Sequence, residues 1–409
     1  MTQVHALYPL GRFNLRKRNM KRSAVLTATV LSSMSFNLLA APTPVEPASM
    51  DVFGFDFAPS LKLSDRYDDN FRTLPNSTAE SSWITSFNPK FTLQAETESA
   101  GYRLVYEGDK QTYWDAREAD HTDHRVAFDN VLQFDSRNRL KWNLGYQKLQ
   151  STVDSTVRTE NDKYTIKEAG VGYVYGLDDA LNQIDVDANY QQLRFQNEGG
   201  INDEQERNTT ALRGTFYHAL TEKTRALVEV KHSKFDYLTA GNPRNNVDTV
   251  ALVGAKWDAT ANTSGSLRVG EENKNFDQGS ANDDQSLTWQ VDASWKPLSY
   301  STFTLKSRKA FDEGDDSAYA IHLTRTQLDW DHEWTSRIST NLNVRHEYRD
   351  YQGGIAREDK TNGMGGGVTW QIRRWVAADV SYKHFHNNST EDDETFTRNI
   401  YLLGLTFSL

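Results

Sequence analysis

Leu287-Thr288-Trp289-Gln290-Val291-Asp292-Ala293-Ser294-Trp295-Lys296 puts every odd residue on an apolar side and every even residue on a polar one. A period of two marks a β-strand with two unlike faces, because successive side chains point to opposite sides of the backbone; a helix would repeat about every 3.6 residues. The same alternation recurs outward along the chain. Leu140, Trp142, Leu144 and Tyr146 oppose Arg139, Lys141, Asn143 and Gln147, and Trp83, Phe87, Phe91 and Leu93 oppose Ser86, Asn88, Lys90, Thr92 and Gln94. Near the start, Phe53, Phe55, Phe57, Leu61 and Leu63 oppose Gly54, Asp56, Ser60 and Lys62. At the far end, Tyr401, Leu403, Leu405, Phe407 and Leu409 make one face that runs to the last residue. A soluble sandwich also alternates, but it rarely sustains the pattern through so many long strands.

The connections alternate too. Long polar segments fall near 66–81, 114–123, 150–162, 196–207, 238–246, 277–285, 312–317, 352–362 and 387–397. Between them lie short turns near residues 99–101, 135–138, 177–179, 221–223, 261–263, 298–300, 335–337 and 373–375. Nine long loops and eight short turns separate eighteen strands, which returns both chain ends to the short-turn side. The expected fold is all-β: a transmembrane antiparallel β-barrel of about eighteen strands (sixteen to eighteen), with short periplasmic turns and long extracellular loops. The count turns on Ala318 to Trp334, where Ile321 and Leu323 fall on one face but Leu328 and Trp330 on the other, which predicts a bulge.

Composition narrows the setting. A mean hydropathy of −0.72, with no apolar run of about 18 residues beyond the N-terminal region, excludes transmembrane helices but not a barrel, since only alternate residues of a barrel strand meet lipid. Eleven per cent aromatic residues, with 18 Tyr and 10 Trp, fit the two interfacial girdles of such a barrel. Met20-Lys21-Arg22, an apolar stretch from Ala24 to Leu39 and Ala40-Ala41-Pro42 have the anatomy of a signal peptide over residues 1–40, with Met20 an alternative start. Residues 41–50 then read as a periplasmic lead-in and 51–409 as the barrel, in the bacterial outer membrane. Removing 1–40 takes away Arg12, Arg16, Lys17, Arg18, Lys21 and Arg22, leaving 40 basic against 56 acidic side chains, a net charge of −16. That balance, without clustered Lys and Arg, argues against nucleic acid as a partner. The absence of cysteine removes disulfides, thiol nucleophiles and thiolate metal sites together.

Pro59-Ser60-Leu61-Lys62-Leu63, then Tyr67-Asp68-Asp69-Asn70, then the apolar strand from Trp83 to Leu93 and the strand from Tyr102 to Tyr113 carry a family likeness. The chain resembles the beta-barrel porin 2 family of outer-membrane barrels associated with bacterial capsule and exopolysaccharide gene clusters. The resemblance implies a barrel through which a polysaccharide crosses the outer membrane, and it carries over no catalytic residues.

Catalytic and metal chemistry finds little footing. His121-Thr122-Asp123-His124 and His384-Phe385-His386 each bring two imidazoles near one another, and Asp312-Glu313-Gly314-Asp315-Asp316 and Glu391-Asp392-Asp393-Glu394 are acidic runs. The histidines read as an exposed loop pair and an interfacial pair. The acidic runs lack the ligand spacing of a calcium loop and read as solvated charge. His332-Glu333 and His346-Glu347 lack a third partner, so neither an enzyme nor a cofactor is expected. Alternation instead points Arg103, Arg125, Arg139, Lys141, Arg225, Lys231, Arg268, Lys306, Arg308 and Arg345 into the lumen beside Glu107, Asp109, Asp129, Asp185, Asp187, Glu229 and Asp292. Guanidinium forks there could bind sugar hydroxyls or uronate carboxylates in succession.

The first reading is therefore a channel for exopolysaccharide or capsular polysaccharide export, with outer-membrane lipid, lipopolysaccharide, the polysaccharide and periplasmic export machinery as partners. The second is a general or oligosaccharide-selective diffusion porin for uptake. A third, an adhesin or anchor, predicts a plugged lumen. The loops at 66–81, 150–162 and 196–207 are the candidates for narrowing it, with Gly199-Gly200 able to bend the last inward.

Overall fold

The computed structural model describes residues 49–408 except 156, 157, 159, 178, 261, 278–280, 315–317 and 355. The expected signal peptide, most of the lead-in, Leu409 and the acidic pair Asp315-Asp316 lie outside the described residues. Among the described residues no helix is long and apolar enough to cross a membrane.

A three-residue strand, β1 (Met50–Val52), precedes the wall. The first half of the wall is β2 (Phe55–Asp68), β3 (Ser82–Glu96), β4 (Ala100–Tyr113), β5 (His121–Gln133), β6 (Asn138–Ser151), β7 (Asp162–Tyr175), β8 (Asn182–Phe195), β9 (Arg207–Thr221) and β10 (Thr224–Tyr237). The second half is β11 (Asn246–Thr260), β12 (Thr263–Phe276), β13 (Asp284–Leu298), β14 (Ser301–Glu313), β15 (Ala318–Thr335), β16 (Ile338–Gly353), β17 (Glu358–Arg373), β18 (Val376–Ser389) and β19 (Phe396–Ser408). Every strand pairs antiparallel with its neighbours in sequence, and β19 pairs with β2, so eighteen strands close into a barrel with no open side. Closure removes the unpaired edge that an open sheet would expose, which matters most where lipid offers no hydrogen bonds.

The two faces have opposite character. Leu267, Val269, Val253, Val228, Val344, Val368, Val380 and Leu403 are exposed, and they share a face with rings such as Trp83, Trp295 and Trp370. An apolar band of this extent on a closed barrel is a liability in water and a requirement in a bilayer. Rings pair across strands on it: Trp295 stacks on Phe303 and Phe303 on Trp330 at the short-turn end, and Tyr67 lies against Trp83 at the long-loop end.

The strands outrun the expected loops. β2 continues to Asp68, β16 to Gly353 with β17 resuming at Glu358, and β18 to Ser389. Polar residues there were expected in connections, but paired strands that rise beyond the apolar band carry polar side chains on both faces. The bulge expected inside β15 is absent. Its register against β14 is unbroken from Ala320 to His332, with irregularities against β16 only at its two ends. Ile321 and Leu323 instead point inward, buried with Ala318 and Tyr351, while Leu328 is exposed on the outside. The apolar residues changed face because the inner wall has its own apolar cluster there.

The barrel closes on the stretch that carried the family likeness. Asp68 takes Arg398 of β19 through both carboxylate oxygens, at 2.5 and 2.9 Å. Asp69 accepts the backbone N–H and the side-chain amide of Asn399, each at 2.6 Å, and returns its own N–H to the Asn399 carbonyl. Asn70 donates to the carbonyls of Thr397 and Leu74. At the opposite end of the seam, where β19 stops at Ser408, β1 pairs with Phe55–Phe57 and continues the ladder along β2.

Candidate functional site

The face opposite the apolar band is polar and charged, and two devices narrow the space it encloses near the long-loop end. The first is loop 69–81. Phe71 is buried against Ile84 and Tyr113, Arg72 is wholly buried and bridges Glu80 (2.8 Å) and Glu118 (2.9 Å), and Thr152 donates to the Phe71 carbonyl. The loop thus folds over the inner side of β3 and β4 and reaches Thr152, just past the end of β6. The second is the end of β14 together with Gly314. Pairing of β13 with β14 stops at Trp289–Lys309, after which β14 leans over β13 towards β12. There the Phe311 N–H donates to the Glu272 carboxylate at 3.1 Å. Glu313 binds Lys274, accepts from Tyr237 (2.7 Å) and Asn246 (3.0 Å), and Arg244 holds the Gly314 carbonyl.

The charged residues named from alternation lie on this inner face. Arg103 pairs with Asp129 at 2.9 Å; Arg125 pairs with Asp123 at 3.3 Å and stands opposite Glu107, which accepts from Asn88. Arg139 is buried in the same wall, and Lys141 is near enough to Asp185 for their charges to interact. Arg225 donates to Gln183 at 2.6 Å, and Glu229 accepts from Thr215 and lies 3.6 Å from Arg268. Lys231 faces the charges of Asp248 and Glu272, Lys306 stands opposite Asp292, and Arg308 pairs with Asp312 at 2.6 Å. Asp187 binds Arg213, while Asp109 and Asp185 accept from neutral groups, Gln111 and Gln183.

Arg345 belongs to a cluster that alternation alone did not assemble. Glu347 accepts from Arg345, from Arg325 at 2.5 Å and from Arg349 at 2.7 Å, so three guanidiniums from two strands share one carboxylate. The bulge expected in β15 hides Arg325 from the alternation, and the sequence offers Glu347 only as the neighbour of His346. A second cationic group sits beyond β17, where Lys383 of β18 has Arg66, Arg398 and Lys62 around it with Asp68. Between the two groups the inner face of β17 carries Gly363, Gly365 and Gly367; the Phe385 ring lies over Gly363, where a Cβ would come within 2.9 Å of it.

Other expectations are corrected by these positions. His121 begins β5 instead of lying in a loop, buried with Nδ1 against the Ala119 carbonyl, while His124 is on the opposite face beside Tyr106. A spacing of three in a strand separates them. His384 and His386 pair with Asn399 and Thr397, and among the described residues no group of three or more His, Asp or Glu is arranged to hold a metal. The acidic run at 312–316 is not solvated at Glu313, and in the run at 391–394 Glu394 binds Arg357 at 2.8 Å. Gly199 and Gly200 adopt left-handed backbone, and their loop is tied to loop 238–245 through Asn242 and Arg244, both donating to the Glu204 carbonyl.

No curated protein matches the chain in sequence. Among solved structures it is similar to the outer membrane protein OpdK of Pseudomonas aeruginosa, at 13% identity and a TM-score of 0.51 over 87% of this chain and 98% of that one. The same protein with vanillate gives 13% identity and 0.50 over 86% and 99%, and OccK2 (OpdF) of that organism 13% and 0.50 over 86% and 98%. At such identity the likeness is one of fold. Residues 43–409 match the family described as "Putative beta-barrel porin 2", and the chain belongs to that family of bacterial outer-membrane barrels.

Proposed function

We propose that the barrel is a diffusion channel for the uptake of small hydrophilic solutes, the second of the readings drawn from the sequence. The observation that carries it is a closed eighteen-strand ring with a charged inner face that is narrowed near its long-loop end. A ring of about 16–18 strands is wide enough to hold an aqueous passage. Loop 69–81 and the end of β14 fold over the inner face, and the export reading gains no support from them. OpdK, a barrel of this fold, is known with the small molecule vanillate. In this reading the charged residues from Arg103 to Arg345 line the passage, and the chain is a channel and not an enzyme.

The test is single-channel recording of the purified barrel in planar bilayers, with swelling of loaded liposomes in small sugars. Steady conductance and sugar entry are expected, and deletion of the gene is expected to leave surface polysaccharide unchanged. Loss of surface polymer together with its build-up in the periplasm would return the assignment to export.

A further inference from the structure

We propose that the outer face of β6, β7 and β8, at the long-loop end, is a docking surface for the phosphorylated headgroup of lipopolysaccharide, its lipid A. The three strands climb out of the apolar band in matched rows. Leu144, Ala169 and Tyr190 stand side by side on the lipid side; the next row towards the loops is Tyr146, Lys167 and Gln192, and the one after it is Lys148, Thr165 and Arg194. Successive rows are two residues apart, about 7 Å along the strand. The surface therefore turns from apolar to cationic within two steps, at the height where acyl chains give way to headgroups. Thr165 is small and buried. Lys148 and Arg194 flank it, and Lys167 is its neighbour on the same face of β7, so three cations surround one short side chain.

The charge of this patch is not answered on its own surface. Among the described residues, β6, β7 and β8 place no Asp or Glu on the outer side; their acids, Asp162, Glu168, Asp185 and Asp187, all fall on the inner one. Lys148 and Lys167 are exposed, and Arg194 gives its guanidinium to neutral groups, the carbonyls of Leu193 and Arg207 and the side chain of Asn208. Lys163, one row further out, is taken up by Glu160 at 2.7 Å. Elsewhere acids stand among the outer lysines: Lys234 binds Asp236 at 2.7 Å, and Glu358 shares the outer side of β17 with Lys360. On a chain whose net charge is −10, a face that offers only cations is the one that an anionic surface accepts. Lysines on flexible stems suit phosphate, which they meet as point charges. The row of Leu144, Ala169 and Tyr190 beneath them gives acyl chains something to lie against, which a free phosphate could not use.

The surface lies outside the lumen, so the proposal stands or falls apart from the channel reading. The test titrates the purified barrel in detergent with lipid A carrying both phosphates, divalent ions being chelated throughout, and counts bound lipid by native mass spectrometry. Lipid A stripped of phosphate and inorganic phosphate are the controls. Saturable binding of lipid A is expected, with either control far weaker. Lys148→Gln and Lys167→Gln together should raise the dissociation constant about tenfold. Lys234→Gln with Lys360→Gln removes as much charge from other parts of the outer face and should leave it unchanged. Equal weakening by the two pairs would mean that net charge and not a site draws the lipid, and the proposal falls. It falls as well if the first pair binds lipid A as the unaltered barrel does, if the stripped lipid binds equally, or if inorganic phosphate binds as tightly as lipid A.

Discussion

Glu313 and Glu347 are both buried glutamates on the inner side of the barrel, and they do opposite things. Glu313 has one cation, Lys274, and two neutral donors, Tyr237 and Asn246, so its charge and its oxygens are satisfied locally. Its side chain is 9% exposed and Lys274 only 1%. Glu347 accepts from three cations, Arg325, Arg345 and Arg349. The first is a pin that fastens the end of β14 to β10, β11 and β12; the second is a junction where arginines of β15 and β16 meet. The number of cations that meet on each carboxylate, more than its burial, separates the two.

The most damaging way to test that contrast is Glu313→Gln, which takes from the buried Lys274 ammonium the carboxylate in contact with it and leaves Asp248 as the carboxylate still acting on it. A loss of about 3–5 kcal/mol is expected in urea unfolding of the refolded barrel, because an unpaired buried ion is far costlier than its pair is stabilising. Changing Lys274 and Glu313 together to methionine should recover most of that loss. Glu347→Gln should cost less, about 1–2 kcal/mol in the same assay, since an amide oxygen remains and the guanidiniums keep 10–13% exposure where Lys274 has 1%. Equal losses for the two glutamates would erase the distinction and make both of them pins. Smallest of all is Glu160→Gln, in an exposed pair with Lys163: a shift within about 0.5 kcal/mol is expected, and anything larger would mean that charge pairs at the loop end matter as much as those inside.

Much of this architecture was legible before any coordinates, because strand period and turn chemistry are local properties. Eighteen strands and the sites of the eight turns follow from residues within reach of one another along the chain. Contacts between strands are another matter. Alternation can say that Arg345 and Glu107 share a side, but not that Arg325, Arg345 and Arg349 converge on Glu347, which depends on the register of β15 against β16. The rule that polar residues face inward also fails at Ile84, Tyr164, Ile166 and Leu323, all buried inside. Those residues pack against folded loops and against one another, and no pattern within a single strand announces that a loop will cover it.

The clasp at the seam has a consequence for how the molecule is made. Asp68, Asp69 and Asn70 are synthesised near the start of the wall, and their partners Arg398, Asn399 and Thr397 come at its very end. Every other hairpin can form as soon as its two strands exist, since each pairs with the next in line. The ring alone must wait for the whole chain, so a product cut short before β19 has a catch with nothing to close on. The catch is therefore a check on completeness: an unfinished copy keeps an open edge, and only a full-length one seals.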